Sequence, residues 1–261
     1  MKTKLEARVQ KPEGRSDGRD GHRESYFWPE QPEDGLLVIT GPEARHISRV
    51  TRHEPGNVIG VVDGAGTEHD VELTSVRADR VEGRVLSATR CAREPRHSVA
   101  IAQAVLKGDH LAQVFGQATE LGVSRITPFQ SARTVGRLSP AKLERFRSVS
   151  LAALKSSTRT VLPAIDAPVE FSRLLELDGE FDQVLVAYED ENGAGLDRAL
   201  RRDARSVLVV IGPEGGFEPA EIEALKRAGA VPFSLGPRRL RAETAAVTVV
   251  AMTLGLLGDL G

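Results

Sequence analysis

Two Gly-Pro loops near the C-terminus carry the residue types that can hold a small ligand. The first reads Ile211-Gly212-Pro213-Glu214-Gly215-Gly216. The second reads Leu235-Gly236-Pro237-Arg238-Arg239-Leu240-Arg241-Ala242-Glu243-Thr244-Ala245. Each ends a short apolar run, Val207–Ile211 in one case and Val231–Leu235 in the other. Glycine lets backbone approach a ligand closely, and proline stiffens the turn. At the carboxyl ends of strands in an open α/β sheet, two such loops feeding helices form a ready-made ligand cradle.

Other ligand chemistries are excluded by what the chain lacks. There is no Gly-x-x-x-x-Gly-Lys-Ser/Thr, so it is not a P-loop nucleotidase. No Gly-x-Gly-x-x-Gly follows a strand-like run, which excludes a dinucleotide fingerprint and the usual Rossmann-like methyltransferase site. Gly-x-Ser-x-Gly is missing, and no histidine pair has zinc-binding spacing, so no metal is expected. Cys91 is the single cysteine, which rules out an internal disulfide and a cysteine-based zinc site. It reads as a small buried or half-exposed residue.

The elements that must position the loops follow from periodicity. Residues 1–24 are polar, with alternating charge and Gly14, Gly18 and Gly21, and read as a disordered tail. A strand at Leu36–Ile39 leads into a helix over roughly 43–53, which places Arg45, Arg49 and Arg52 on one face. That stripe suits either a solvated face or contact with RNA. Short strands with an Asp63-Gly64 turn then suggest a small antiparallel barrel. Pro95 marks a boundary. Beyond it strands and helices alternate: Ser98–Ala102, a helix at 110–121 closed by Gly122, Ile126–Phe129, a long helix from Ala141 to Ser157, Phe181–Ala187 and Val207–Ile211. Helices over 218–228 and 242–257 complete the pattern. Such alternation predicts a parallel α/β domain over 95–261, after a smaller domain at 25–92.

Net charge is −2, but residues 93–165 carry eleven basic and four acidic side chains, a net of +7 and a candidate polyanion surface. Of the 35 basic residues, 28 are arginine, whose planar fork suits phosphate and base edges. Residues 1–24 hold no apolar signal-peptide core. The apolar stretch Ala245–Leu257 is too short to span a bilayer, so the expectation is a soluble, cytoplasmic protein with no membrane partner.

With these features in place, residues 26–261 resemble the ribosomal RNA small subunit methyltransferase E family of the SPOUT superfamily. The strongest matches are Ile211–Gly216 with Glu221-Ile222, and Leu235-Gly236-Pro237 with Leu240-Arg241-Ala242-Glu243-Thr244-Ala245. Collinear matches are Lys107-Gly108-Asp109, Ala118-Thr119-Glu120-Leu121-Gly122-Val123, Pro128 and Arg133. In the N-terminal domain His46-Ile47-Ser48-Arg49-Val50, Pro55-Gly56 and Asp63-Gly64 match.

The resemblance implies a PUA-like N-terminal β-barrel and a C-terminal SPOUT α/β domain tied in a deep trefoil knot. It implies a homodimer that binds S-adenosyl-L-methionine in the knot loops. The implied reaction is methylation of uridine N3 in 16S rRNA near the decoding centre, at rRNA position 1498, within the assembled small ribosomal subunit. Two other readings stay open: a SPOUT methyltransferase with another rRNA or tRNA target, and a non-catalytic RNA-binding assembly factor.

Carried onto this chain, the cofactor-binding residues are Ile211, Gly212, Pro213, Glu214, Gly215 and Gly216 from the first loop. From the second they are Leu235, Gly236, Leu240, Thr244 and Ala245. Uracil N3 carries a proton at neutral pH, so the reaction needs its removal and stabilisation of charge spreading to O2 and O4. Arg241 is the first choice for that electrostatic role. Glu243 is a weaker catalytic candidate, and the sequence assigns no general base. Candidate RNA contacts are Arg45, Arg49, Arg52, Lys107, Arg133 and Arg159. Departures from the family pattern fall at Lys155 and Ser156, where a Glu-Gln pair is usual, at Gly116-Gln117 in place of Gln-Lys, at Ala132 in place of Glu, and at Arg23, a displaced basic residue. They spare the Gly-Pro loops and touch substrate or dimer surfaces.

Overall fold

The structure, a computed structural model, describes residues 25–91, 93–189 and 194–260. The expected tail at 1–24 lies outside them. Two β-sheets organise the chain. The N-terminal one has five strands: β1 (Ser25–Phe27), β2 (Leu36–Thr40), β3 (Val58–Val62), β4 (Thr67–Val76) and β5 (Arg80–Arg90). Their order is β1-β3-β4-β5-β2, antiparallel apart from the β1–β3 pair. Alternation in β4 turns Val71 and Leu73 inward against Tyr26, Ile39 and Ile47.

Between β2 and β3 the chain departs from the sequence expectation. Helix α1 covers only Gly41–Arg45, and a single wide π-helical turn, His46–Val50, follows it. Arg52 lies beyond that turn with φ +55°. Thr51 interrupts the helix: its backbone N–H bonds back to His46 C=O, and its hydroxyl also takes up the Ile47 carbonyl. The arginine stripe therefore does not lie along one regular helix.

The second sheet is entirely parallel. It contains β6 (Ser98–Ala104), β7 (Arg125–Gln130), the short β8 (Ala164–Ile165) and β9 (Val169–Glu170), then β10 (Gln183–Ala187), β11 (Ser206–Ile211) and β12 (Val231–Phe233). The order is β12-β10-β11-β6-β7-β8, with β9 also beside β7. Helices α2 (His110–Leu121), α3 (Pro140–Ser156), α4 (Phe171–Leu174), α5 (Leu196–Ala199), α6 (Pro219–Arg227) and α7 (Ala242–Leu257) connect and cover it. Both faces are buried, which is why its strands read as nearly unbroken apolar runs. Val99, Ile101, Val207 and Val209 face one core with α2 and α7, while Ala100, Ala102, Leu208 and Val210 face the other with Phe129 and Phe217.

The sheets meet along the segment after α3. Gly66 N–H donates to Thr160 C=O at 3.0 Å, and Leu162 N–H to Gly64 C=O at 2.9 Å. Lys155, one of the family departures, reaches Glu43 of α1 at 3.2 Å.

Candidate active site

Parallel strands bring all their carboxyl ends to one edge, and a cavity of about 650 Å³ opens there. Ile211 and Gly212 arrive from β11, Ser234–Gly236 from β12, Ala187–Glu189 from β10, and Lys107, Gly108 and His110 from β6. The N-terminal turn of α7, Arg241–Glu243 with Ala245, closes one side.

Local bonds shape the two loops. In the first, Gly216 N–H closes a turn on Pro213 C=O at 2.9 Å, with Gly216 at φ +69°. Gln103, fully buried on β6, donates to Gly212 C=O at 3.2 Å and braces the loop from below. In the second, Gly236 takes φ +96° and its N–H donates to Ser234 Oγ at 3.1 Å. A side chain there would meet open space, so backbone conformation alone requires glycine.

Charged groups tie these segments together. Glu214 accepts the Lys107 backbone N–H at 2.8 Å and so links the first loop to the β6 loop. Arg239 reaches Glu189 at 3.2 Å across the mouth. Glu243 lies 3.2 Å from His110 Nδ1 and 4.0 Å from an Arg241 nitrogen, with its side chain 12% exposed. The Arg241 side chain is 82% exposed and reaches outward from the rim.

Of the cofactor-binding candidates, Ile211, Gly212, Pro213, Glu214, Gly216, Leu235, Gly236, Leu240 and Ala245 line this cavity, as do Arg241 and Glu243. Gly215 and Thr244 do not. The Gly215 carbonyl instead accepts from Arg133 at 3.0 Å, and Thr244 is exposed on the first turn of α7. Arg133 thus braces the first loop. Lys107, expected at RNA, lines the cavity itself.

Arg159 requires correction as an RNA contact. Its side chain is 4% exposed, pairs with Glu94 at 2.7 Å, and donates to the carbonyls of Thr119 and Val123. No nucleic acid can reach a guanidinium so enclosed. Burial pushes the Glu94 carboxyl up, but Arg159 and the backbone N–H groups of Thr160 and Val161 outweigh it and hold the pKa below the ordinary value. Cys91 is also corrected, being exposed.

The N-terminal arginines divide. Arg49 and Arg52 line a shallow concavity with His53 and, from the β4–β5 turn, Arg77. Arg45 is exposed but not part of it. His53 is fixed beneath by Tyr26 Oη at 3.0 Å and Asn57 at 3.3 Å.

Sequence reasoning missed Gln103, His110 and Glu189, and noted Glu221 only as a family match with no role. Glu221 completes a capping box with Glu218 at the start of α6 and accepts the Ala132 N–H at 2.9 Å. His110 and Glu189 each follow a parallel strand's carboxyl end, which is the one signal that could have found them.

Comparison with known proteins places these residues in context. The family model for an RNA methyltransferase domain matches residues 92–254, and that for an RNA methyltransferase PUA domain matches 39–86. Ribosomal RNA small subunit methyltransferase E of Bacillus subtilis is 37% identical over 217 residues, covering 79% of this chain and 85% of the relative. Its counterpart in Mycobacterium bovis is 33% identical, with 88% of each chain covered. The crystal structure of the Neisseria gonorrhoeae enzyme of the same name, bound to S-adenosyl methionine, superposes with a TM-score of 0.82 at 26% identity, covering 90% of this chain and 98% of that one.

Proposed function

From the premise that the chain belongs to the ribosomal RNA small subunit methyltransferase E family of RNA methyltransferases, we propose that it methylates N3 of a uridine in 16S rRNA near the decoding centre, using S-adenosyl-L-methionine. The observation that carries this reading is the cavity at the carboxyl edge, built from both Gly-Pro loops.

The residues present fit that cofactor. A cavity of about 650 Å³ has the size of a nucleoside-type ligand site. Ile211, Leu235 and Leu240 offer apolar walls for an adenine, and Gly212 and Gly236 leave their backbone accessible beside it. Glu189 and Glu243 also line it, each beside a basic side chain. When bound, the donor supplies an electrophilic methyl carbon on a sulfonium. The chain's own part is to position the base, take up the N3 proton and stabilise the resulting imide charge. Arg241, on the rim with its guanidinium free to reach outward, suits the last role.

The same reading includes a deep trefoil knot formed by the two loops, a homodimer, and the assembled small subunit as substrate. Arg49, Arg52 and Arg77 would engage RNA phosphates at a distance from the reacting base. Mass spectrometry of 16S rRNA nucleosides from a deletion strain and its complemented parent tests the assignment. 3-Methyluridine is expected to disappear on deletion and return on complementation; its persistence in the deletion strain would refute the reading.

A further inference from the structure

The reaction needs a group to accept the N3 proton, and the cavity offers few. Its guanidinium and ammonium groups carry donors and no acceptor lone pair. Glu189 is engaged with Arg239, and Glu214 accepts the Lys107 backbone N–H. Glu243 lies between His110 and Arg241. His110 remains. It is the first residue of α2, its side chain is 44% exposed, and it lines the cavity beside Arg241.

We infer that His110 is the general base of this site, held and oriented by Glu243. Glu243 Oε1 lies 3.2 Å from Nδ1 as an ion-pair contact, and its charge favours a proton on that nitrogen once the two align, which leaves the Nε2 lone pair as acceptor. In the transfer, the uracil N3–H proton goes to Nε2. The electron pair left on N3 forms the bond to the methyl carbon as the carbon–sulfur bond breaks, leaving a neutral thioether. Glu243 stays ionised and offsets the imidazolium charge, and Arg241 faces the negative charge on the uracil oxygens. The neighbouring charges are Lys107 and Asp109 on the preceding loop, Lys142 and Arg145 of α3 acting through Asp109, and Glu243 and Arg241 of α7. Glu243 is the ion-pair partner of the ring. This inference rests on the uridine-N3 reading.

Two measurements test it. In the free protein, the His110 imidazole is followed by NMR as pH is varied. Glu243→Gln should make it lose its proton at lower pH than in the wild type; an unchanged titration overturns the pairing. In single-turnover reactions on small subunits from a deletion strain, the wild-type rate should fall on the acid side with one ionisation. His110→Asn should remove that limb and lower the rate by roughly 10²–10⁴-fold, with donor affinity by calorimetry unchanged. Wild-type transfer to N3 combined with an intact limb and rate in His110→Asn overturns the inference alone. A wild-type protein that leaves N3 unmethylated overturns the functional reading and the inference with it.

Discussion

Glu243 lies beside a histidine from α2 and an arginine from its own helix start, so one carboxylate faces two side chains of different chemistry at the cavity. That division of roles predicts different consequences for each neighbour. Arg241→Ala should keep donor affinity, measured by calorimetry, within about twofold while cutting methyl transfer by roughly 10²–10³-fold, the usual loss for one donor aimed at developing charge. Lost donor affinity would make Arg241 a binding residue instead. Arg159 belongs to a different class. With Glu94 it forms a buried pair whose remaining donors go to two carbonyls. Arg159→Ala leaves that carboxylate buried without its counter-charge, held only by hydrogen bonds from Thr160 and Val161, so thermal or urea unfolding should show a loss of about 3 kcal/mol. Arg159→Lys should recover little of it, because an ammonium cannot reproduce the planar fork.

Elements set the loops, and the loops set the cavity. Gly236 adopts φ +96° with open space around it, so Gly236→Ala should cost about 1 kcal/mol in stability and weaken donor binding measurably. The far end of α7 is pinned differently. Asp259 accepts from the His97 backbone N–H at 2.8 Å, from His97 Nδ1 at 2.7 Å and from Arg96 at 2.9 Å. Burial raises its pKa, but those bonds outweigh burial and hold it at about 2. Its folded pKa thus lies below the ordinary 3.8, so the stabilisation is full above about pH 4 and fades as pH falls towards 2. Asp259→Asn should therefore be destabilised at pH 7, and its gap to the wild type should shrink on acidification, as followed by urea denaturation.

Much of this architecture was legible along the chain because each signal is local. Apolar runs ending in Gly-Pro, Pro140 opening α3 and Gly122 closing α2 at φ +112° all act within a few residues. What escaped depends on distant partners. Arg159 looked available because Glu94 lies 65 residues earlier. His110 and Glu189 join the site only because β6 and β10 flank β11 in the sheet. The helix expected at 43–53 had the right apolar positions, yet Thr51 turned its hydroxyl back on the helix carbonyls.

Across the molecule, the two sheets are joined by backbone bonds, by Lys155–Glu43 and by Arg93–Glu68. The concavity bearing Arg49, Arg52 and Arg77 is thereby carried on the same framework as the cavity bearing Arg241. If the first holds RNA phosphates while the second receives the base, replacing Arg49, Arg52 and Arg77 together with glutamine should weaken small-subunit binding and flatten its salt dependence. Donor affinity should not change. Salt-independent binding by the wild type would contradict a phosphate contact. No helix among the described residues is long and apolar enough to cross a membrane. We propose that the Gly-Pro cavity delivers a methyl group to uridine N3. The most direct test supplies purified protein with a deuterated donor and small subunits from a deletion strain, then maps the label in the digested RNA by mass spectrometry. Deuterated 3-methyluridine is expected at a single 16S rRNA position; label on any other atom, or none, would contradict transfer to N3.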